Sequence, residues 1–201
     1  MKILKDTLIL TIITVIAGLS LGYVYEITKE PIAASREKAK QDAYRAVFTE
    51  ADSFAEGEIS HVDNADAILD GAGLGKVTID EALDALDASG NPVGCVLKVT
   101  DSEGYGGDIT IAMGIRSEGT LNGIEILSIS ETAGLGMKAT QPEFKDQFKN
   151  KNVTQFTYTK TGAQNEYEID ALSGATITTR AVLNAVNGGL AYAQTMMGGA
   201  M

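Results

Sequence analysis

The sequence has very few of the side chains from which proteins build catalytic and metal centres. Among 201 residues there is one cysteine, one histidine and no tryptophan. A lone cysteine cannot form an intramolecular disulfide or hold an iron–sulfur cluster, and a lone histidine excludes a histidine-rich metal site. Cys95 lies in a β-like run and is expected to be a buried apolar side chain, whereas His61 lies in an acidic region and is expected on the surface. Because P-loop and G-x-G-x-x-G motifs are also absent, we predict no catalytic or metal-ligating residues and a bound cofactor as the source of any chemistry.

Acidic residues dominate the charge of the chain. Aspartate and glutamate number 27 against 16 lysines and arginines, which gives a formal net charge of −11. Because a surface of this sign repels a phosphate backbone, nucleic acid is not an expected partner. Hydrophobic residues make up 44% of the sequence, which is typical of a folded protein, and the length allows one domain with an appendage.

The N-terminal segment has the features of a transmembrane helix. The run from Thr7 to Tyr25 contains no charged side chain and as a helix would cover roughly 28 Å, close to the hydrocarbon thickness of a bilayer. Two other interpretations are weaker. A cleaved signal peptide is disfavoured because no small-residue cleavage site follows the run. A buried core helix is disfavoured because such a helix need not be apolar on all its faces, as this run is. Lys2 and Lys5 precede the run, so the positive-inside rule predicts a single-pass protein of the cell (inner) membrane with a cytoplasmic N-terminus.

We predict three parts along the chain. Residues 1–30 form a cytoplasmic stub and the membrane anchor. Residues 31–50 form a stalk helix, with Pro31 in its first turn, where proline is well tolerated. Residues 51–201 form a single extracytoplasmic domain.

Patterns of apolar and polar residues predict the elements of that domain. Strands are expected at 93–99, 108–115, 123–129, 156–158 and 166–170. Helices are expected at 142–148 and from about Thr179 to Met196, the second one with an apolar stripe and an N-cap within the hydroxyl cluster 176–179. Short glycine-containing turns join the first three strands as an antiparallel meander. The predicted fold class is therefore α+β, with a largely antiparallel sheet flanked by helices.

One stretch indicates where a ligand binds. Residues 170–176, with the sequence DALSGAT, pass from a predicted strand through a turn of small residues to the last helix. Gly174 permits backbone angles that a Cβ would block, and the N–H groups and positive dipole end of a helix favour a phosphate. The residues alone also allow a simpler interpretation, a hydroxyl-rich helix cap with an acidic residue that holds the turn.

The spacing Asp170-x-x-Ser173-Gly174-Ala175-Thr176 resembles the flavinylation motif of the FMN-binding domain family. In that family the final threonine carries FMN through a phosphoester bond, which a separate flavin transferase makes. The resemblance implies that the cofactor is FMN, attached covalently at Thr176. It further implies that Ser173, Gly174 and Ala175 contact the phosphate. Asp170 would support the turn or be recognised by the transferase.

A second segment extends the resemblance. Residues 131–136 read Glu-Thr-Ala-Gly-Leu-Gly and are similar to a Glu-Thr-Pro-Gly-Leu-Gly loop found in two related membrane complexes. The loop belongs to the G subunit of Rnf ion-translocating electron-transport complexes and to the C subunit of the sodium-pumping NADH:quinone oxidoreductase. Ala133 stands where the family has proline, the segment 104–107 matches a third family segment, and the short chain favours the Rnf branch. The resemblance places the following residues against the isoalloxazine ring: Glu131, Thr132, Gly134, Leu135 and Gly136.

The function that the resemblance implies is that of an electron-relay subunit. The complex would couple electron transfer between ferredoxin and NAD to Na⁺ or H⁺ translocation, and this chain would be an enzyme only as part of that translocase. Its expected partners are the other subunits, a flavin transferase and the membrane. Two alternatives remain, a membrane-anchored assembly or scaffold subunit without redox activity and a stand-alone extracytoplasmic flavoprotein reductase.

Overall fold

The computed structural model describes residues 2–56 and 65–197, and His61 lies outside this part of the chain. The chain divides into two compact units, one up to Lys40 and one from Gln41 onward. A single helix, α1, runs over Lys2–Val47, so Pro31 lies inside a helix and does not begin a second one. The residues that follow Pro31 are mostly strong helix formers, and they sustain the helix although proline removes one backbone hydrogen bond.

The first unit is an apolar helix whose threonine hydroxyls are satisfied internally. In the part of the chain that the structure describes, α1 is the one helix that by length and composition could cross a membrane. The hydroxyls of Thr7, Thr11 and Thr14 each donate to the carbonyl oxygen four residues earlier, at 2.9–3.0 Å. These bonds give each hydroxyl hydrogen a partner, which a hydrocarbon environment requires.

Five strands form the antiparallel sheet of the second unit. They pair in chain order as a meander, β1 to β5: Ser53–Ala55, Val77–Leu86, Pro92–Gly104, Gly107–Arg116 and Leu121–Ser128. The first three predicted strands are confirmed as β3, β4 and β5. Strand β2 is not evident from the sequence because a bulge at Asp80 interrupts its pairing with β3. The bulge moves the buried positions from odd to even residue numbers, and a strict alternation is lost.

Shorter elements and one long helix complete the unit. They are α2 (Ala65–Gly71), a 3-10 helix (Gly136–Thr140), α3 (Pro142–Lys145), a second 3-10 helix (Asp146–Phe148), β6 (Thr157–Thr159), β7 (Glu168–Asp170) and α4 (Thr176–Met197). Strands β6 and β7 pair in parallel as a separate small sheet. The helix predicted at 142–148 is α-helical only over its first part, and α4 begins at Thr176, before the expected start near Thr179.

Helices cover both faces of the five-stranded sheet, which confirms the predicted fold class. Val182, Val186 and Leu190 of α4 join the larger core on one face. On the other face, Tyr44 in the last turn of α1 and Phe48 directly after the helix are fully buried against alternate strand residues. The sheet is therefore enclosed, and its connecting turns and the start of α4 are left to build a site.

Cys95 on β3 belongs to the larger core and is 2% exposed, which confirms the expectation of an apolar role. Burial, with a smaller effect from Asp84, raises the pKa of its thiol to about 12. The reactive thiolate is therefore suppressed near neutral pH. Because the sequence contains no other cysteine, reaction of Cys95 with a fluorogenic maleimide measures unfolding of the sheet.

Asp101 on β3 places a carboxylate inside the domain, at 0% exposure. Its Oδ1 accepts the N–H of Glu103 at 2.7 Å, whereas Oδ2 has no hydrogen-bond partner among the described residues. Burial raises the pKa of Asp101 above the ordinary 3.8, although the Glu103 N–H and the Asn184 side chain act in the opposite direction. The folded chain thus holds this proton more tightly than the unfolded chain does, so the free energy of unfolding falls as pH rises above 3.8.

We therefore expect Asp101→Asn to increase the free energy of unfolding near neutral pH, because the amide keeps an acceptor for the Glu103 N–H and removes the buried charge. The gain should shrink as pH approaches 3.8, where the wild-type carboxyl becomes protonated. Urea unfolding, followed by tyrosine fluorescence near neutral pH and near pH 3.8, measures the free energy of unfolding of both proteins. Asp108→Asn, at an exposed position, is the control and should change little. A lower stability of Asp101→Asn near neutral pH would contradict the account.

Candidate functional site

Two turns of the same type meet in the second unit. In the first turn, residues 132–135, the N–H of Leu135 donates to the carbonyl oxygen of Thr132 at 3.1 Å, and Gly134 has a φ of 77°. In residues 172–175 the corresponding bond is 3.0 Å long, and Gly174 has a φ of 76°. A positive φ at the third residue is typical of a type II turn, and glycine adopts it without strain. The turns lie close together, since a Cβ added at Gly174 would be 3.2 Å from Cδ2 of Leu135.

A cavity of about 610 Å³ opens where these turns meet. Its lining residues come from three places in the chain: Tyr105; Glu131, Thr132, Leu135 and Gly136; and Gly174, Ala175, Thr176, Ile177 and Thr178. Among them Tyr105, Leu135 and Ile177 are 71%, 43% and 44% exposed. The cavity therefore offers apolar surface to solvent, and its size is suited to a ligand with a planar aromatic ring system.

The start of α4 forms one side of the cavity. Ala175 occupies the N-cap position, and it has no side-chain oxygen that could accept the first N–H groups of the helix. Over residues 2–56 and 65–197, the N–H groups of Thr176, Ile177 and Thr178 donate no hydrogen bond. Unpaired donors at the positive end of a helix dipole can bind an anion such as phosphate.

Thr179 fixes the second turn to the helix. Its buried hydroxyl accepts the N–H of Leu172 and donates to the carbonyl of Ala175, both at 3.0 Å. The prediction of an N-cap within the hydroxyl cluster 176–179 is therefore wrong. The cluster lies inside the helix, and its last hydroxyl spans the turn that precedes the helix instead of capping it.

Glu131 connects the first turn with the link between β3 and β4. It is 9% exposed, and its Oε1 accepts the N–H of Gly106 at 3.2 Å. A Cβ added at Gly106 would lie 2.0 Å from the carbonyl oxygen of Ser130, so only glycine fits this approach. The contact brings the neighbouring Tyr105 to the cavity.

The structure brings most of the predicted site residues together. Those that line the cavity are Glu131, Thr132, Leu135, Gly136, Gly174, Ala175 and Thr176. Gly134 and Ser173 belong to the two turns but are not among the lining residues. Asp170 lies apart, where its Oδ1 accepts the N–H of Ala163 at 2.8 Å and its own N–H donates to Gln147 Oε1 at 2.6 Å. It therefore supports the chain that leads into the second turn.

Three lining residues were not among the predicted site residues: Tyr105, Ile177 and Thr178. The segment 104–107, which carries a family resemblance, is the signal for Tyr105. The signal for Ile177 and Thr178 is the helix start. A helix placed from Thr176 onward puts both residues in its first turn, next to the expected phosphate.

The first turn can be stabilised at Ala133, which occupies the second position, where proline is favoured in type II turns. The N–H of Ala133 donates no hydrogen bond among the described residues. We expect Ala133→Pro to stabilise the chain by about 0.4–1 kcal/mol, which corresponds to about 1–4 °C in the Cys95 labelling midpoint. Ala163→Pro is the matched control and should destabilise, because the Ala163 N–H donates to Asp170. A lower midpoint for Ala133→Pro would contradict this geometry.

Comparison with protein families agrees with the placement of the cavity. The model of the FMN-binding domain family matches residues 104–191, a range that contains all the lining residues. A second model, described as the RnfG N-terminal region, matches residues 1–47 and therefore covers α1.

Three curated relatives align with almost the whole chain, and each is the G subunit of its complex. The relative from the ion-translocating oxidoreductase complex of Methanosarcina acetivorans is 30% identical over 98% of this chain and 97% of its own length. The one from the proton-translocating ferredoxin:NAD(+) oxidoreductase complex of Clostridium ljungdahlii is 31% identical over 94% and 91%. The one from the Na(+)-translocating ferredoxin:NAD(+) oxidoreductase complex of Acetobacterium woodii is 30% identical over 92% and 88%. With this identity and coverage, the chain belongs to the family of G subunits of ion-translocating oxidoreductase complexes.

Proposed function

We propose that this chain carries FMN through a phosphoester bond to Oγ1 of Thr176 and relays electrons within a membrane complex. The observation that supports this most strongly is the cavity in which the 131–136 loop meets the start of α4. One side of the cavity has unpaired backbone donors and no competing side-chain cap, which suits a phosphate. The other side has exposed apolar surface, which suits a flavin ring.

The first helical turn supplies the backbone donors in this proposal. The N–H of Ala175 already donates to Leu172, so the N–H groups of Thr176, Ile177 and Thr178 would bind the phosphate oxygens. The exposed hydroxyl of Ser173 and the N–H of Gly174 lie in the adjoining turn and would complete the contacts.

Exposed apolar side chains would hold the ring. Tyr105, Leu135 and Ile177 present apolar surface at the cavity, and Gly136 lies in its wall. When bound, the flavin supplies one- and two-electron chemistry, while the protein positions the ring and tunes it electrostatically. A tethered cofactor on an anchored domain suits a relay between other carriers, as expected for one subunit of a larger oxidoreductase.

The other subunits and a flavin transferase are the proposed partners. Two relatives of nearly equal identity to this chain, 31% and 30%, are named for proton and sodium translocation respectively. We therefore assign the choice of Na⁺ or H⁺ to other subunits, and we expect the complex to connect ferredoxin with NAD as those names state.

The proposed topology follows from charge. Lys2 and Lys5 precede the apolar run of α1, which favours a cytoplasmic N-terminus and an extracytoplasmic domain. A covalent phosphoester at Thr176 would keep FMN from diffusing away on that side of the membrane.

Intact mass spectrometry tests the attachment. The full chain is produced together with an active flavin transferase, and its peptides are mapped. We expect the added mass of one FMN less one water on the peptide that contains Thr176. An unmodified chain, from a transferase that modifies a control substrate, would contradict the proposal and favour the scaffold alternative. Turnover of a soluble substrate by the purified protein, without copurifying membrane subunits, would favour the stand-alone reductase.

A further inference from the structure

Two side-chain oxygen atoms approach one point of the cavity wall. A Cβ added at Gly136 would lie 2.6 Å from Oγ1 of Thr178 and 2.7 Å from Oε2 of Glu131. Both side chains line the cavity, and they are only 1% and 9% exposed. Glycine at position 136 thus allows both side chains to pack against its backbone, and this packing holds the two oxygens beside each other in the cavity wall.

Both oxygens are available for a ligand. Oε1 of Glu131 accepts the Gly106 N–H, but among the described residues neither Oε2 of Glu131 nor the hydroxyl of Thr178 has a hydrogen-bond partner. No lysine or arginine is among the residues that line the cavity. Glu131 also forms no salt bridge in the described ranges, so its carboxylate is not neutralised by an ion pair.

The pair presents one strong acceptor and one hydroxyl donor side by side. A carboxylate oxygen accepts an N–H, and a threonine hydroxyl donates to a carbonyl oxygen. The imide edge of a flavin carries such groups, an N–H between two carbonyl oxygens. A purely apolar ring in the cavity would exclude water from both protein groups and give them no partner, which is unfavourable.

We propose that Glu131 and Thr178 bind the imide edge of the flavin and that the Glu131 carboxylate lowers its reduction potential. The inference rests on the proposed function for the presence of the flavin. Reduction adds two electrons to the ring. If fewer than two protons follow, the reduced ring carries a negative charge. A carboxylate held near that ring in a partly dry cavity opposes the added charge, so the oxidised form is favoured.

The midpoint potential of the flavinylated full chain tests the role of the charge. Glu131→Gln keeps an acceptor for the Gly106 N–H and removes the charge. In a spectroelectrochemical titration it should raise the reduced-to-oxidised ratio at fixed potential about tenfold, or about 30 mV for a two-electron couple. Glu131→Asp, which keeps the charge, should stay closer to wild type. Glu103→Gln removes an exposed carboxylate that does not line the cavity and should change the potential much less.

Thr178→Val tests the hydroxyl. The valine keeps the shape and the charge of the site, so we expect shifted flavin absorption bands with a smaller change in potential than in Glu131→Gln. Unchanged bands would remove Thr178 from the proposal. If the chain carries flavin but Glu131→Gln and Glu103→Gln have equal potentials, the inference about Glu131 is overturned while the proposed function stands. If no flavin is attached to the wild-type chain, the proposed function itself fails.

Discussion

Thr176→Ala protein made together with an active flavin transferase should carry no covalent FMN, whereas the wild-type chain made in the same way should carry one. The alanine removes the hydroxyl of the first residue of α4, and with it the oxygen proposed to form the phosphoester. The loss should be complete because the neighbouring hydroxyls of Ser173 and Thr178 occupy other positions, on the preceding turn and deep in the wall. Fragment-ion mapping of the peptide distinguishes the three residues.

The fold should survive this change. The side chain of Thr176 makes no hydrogen bond in the described part of the chain, and alanine is favourable in a helix. Labelling of Cys95 by a maleimide should therefore begin at the wild-type temperature. Thr195→Ala is the matched control: it removes an exposed hydroxyl that donates to the Ala191 carbonyl at 2.9 Å on the same helix, and it should be flavinylated normally. Covalent flavin on Thr176→Ala would refute the site assignment.

Each half of the cavity could be predicted because its conformation is local. A type II turn depends on four residues, and glycine at the third position of 132–135 and of 172–175 indicates both turns. The contact between the halves is not local. Leu135 and Gly174 approach each other only because the sheet and α4 place them there, and in the sequence only the family resemblance connected them.

Two elements escaped prediction for a different reason, since their local patterns indicate something else. Strand β2 contains a bulge at Asp80, so its buried residues follow no single alternation, and several of its residues favour helices. The hydroxyl cluster 176–179 is typical of an N-cap, yet Thr179 bonds across the preceding turn. In β2 the pairing with β3 overrides the local preference, whereas at Thr179 a competing local contact, seven residues away along the chain, does so.

The structure explains why the segment 104–107 has a glycine at position 106. Position 106 approaches the chain before the first turn so closely that a side chain has no space. The N–H of Gly106 also donates to Glu131. A glycine between β3 and β4 therefore serves the cavity as well as the turn, and this could not be inferred from the turn alone.

We expect Gly106→Ala to destabilise the domain and to reduce flavin attachment. The added Cβ would lie 2.0 Å from the oxygen and 2.8 Å from the carbon of the Ser130 carbonyl, and 3.4 Å from Cα of Glu131. These are backbone atoms, so a rotamer change cannot relieve the clash. Overpacking of this kind costs about 1–3 kcal/mol, and each kcal/mol should lower the Cys95 labelling midpoint by about 2–4 °C.

Gly71→Ala provides the control for this prediction. A Cβ at Gly71, the last residue of α2, would have no atom within 4 Å, and its φ is not positive, so stability should be unchanged or slightly higher. Equal Cys95 labelling midpoints for the two variants would contradict the close contact between Gly106 and the Ser130 carbonyl. Because the segment 130–131 also leads into the cavity, displacing it should weaken the Gly106–Glu131 bond and move Tyr105 away. Flavin attachment should therefore fall together with stability in Gly106→Ala, and in Gly71→Ala neither should change.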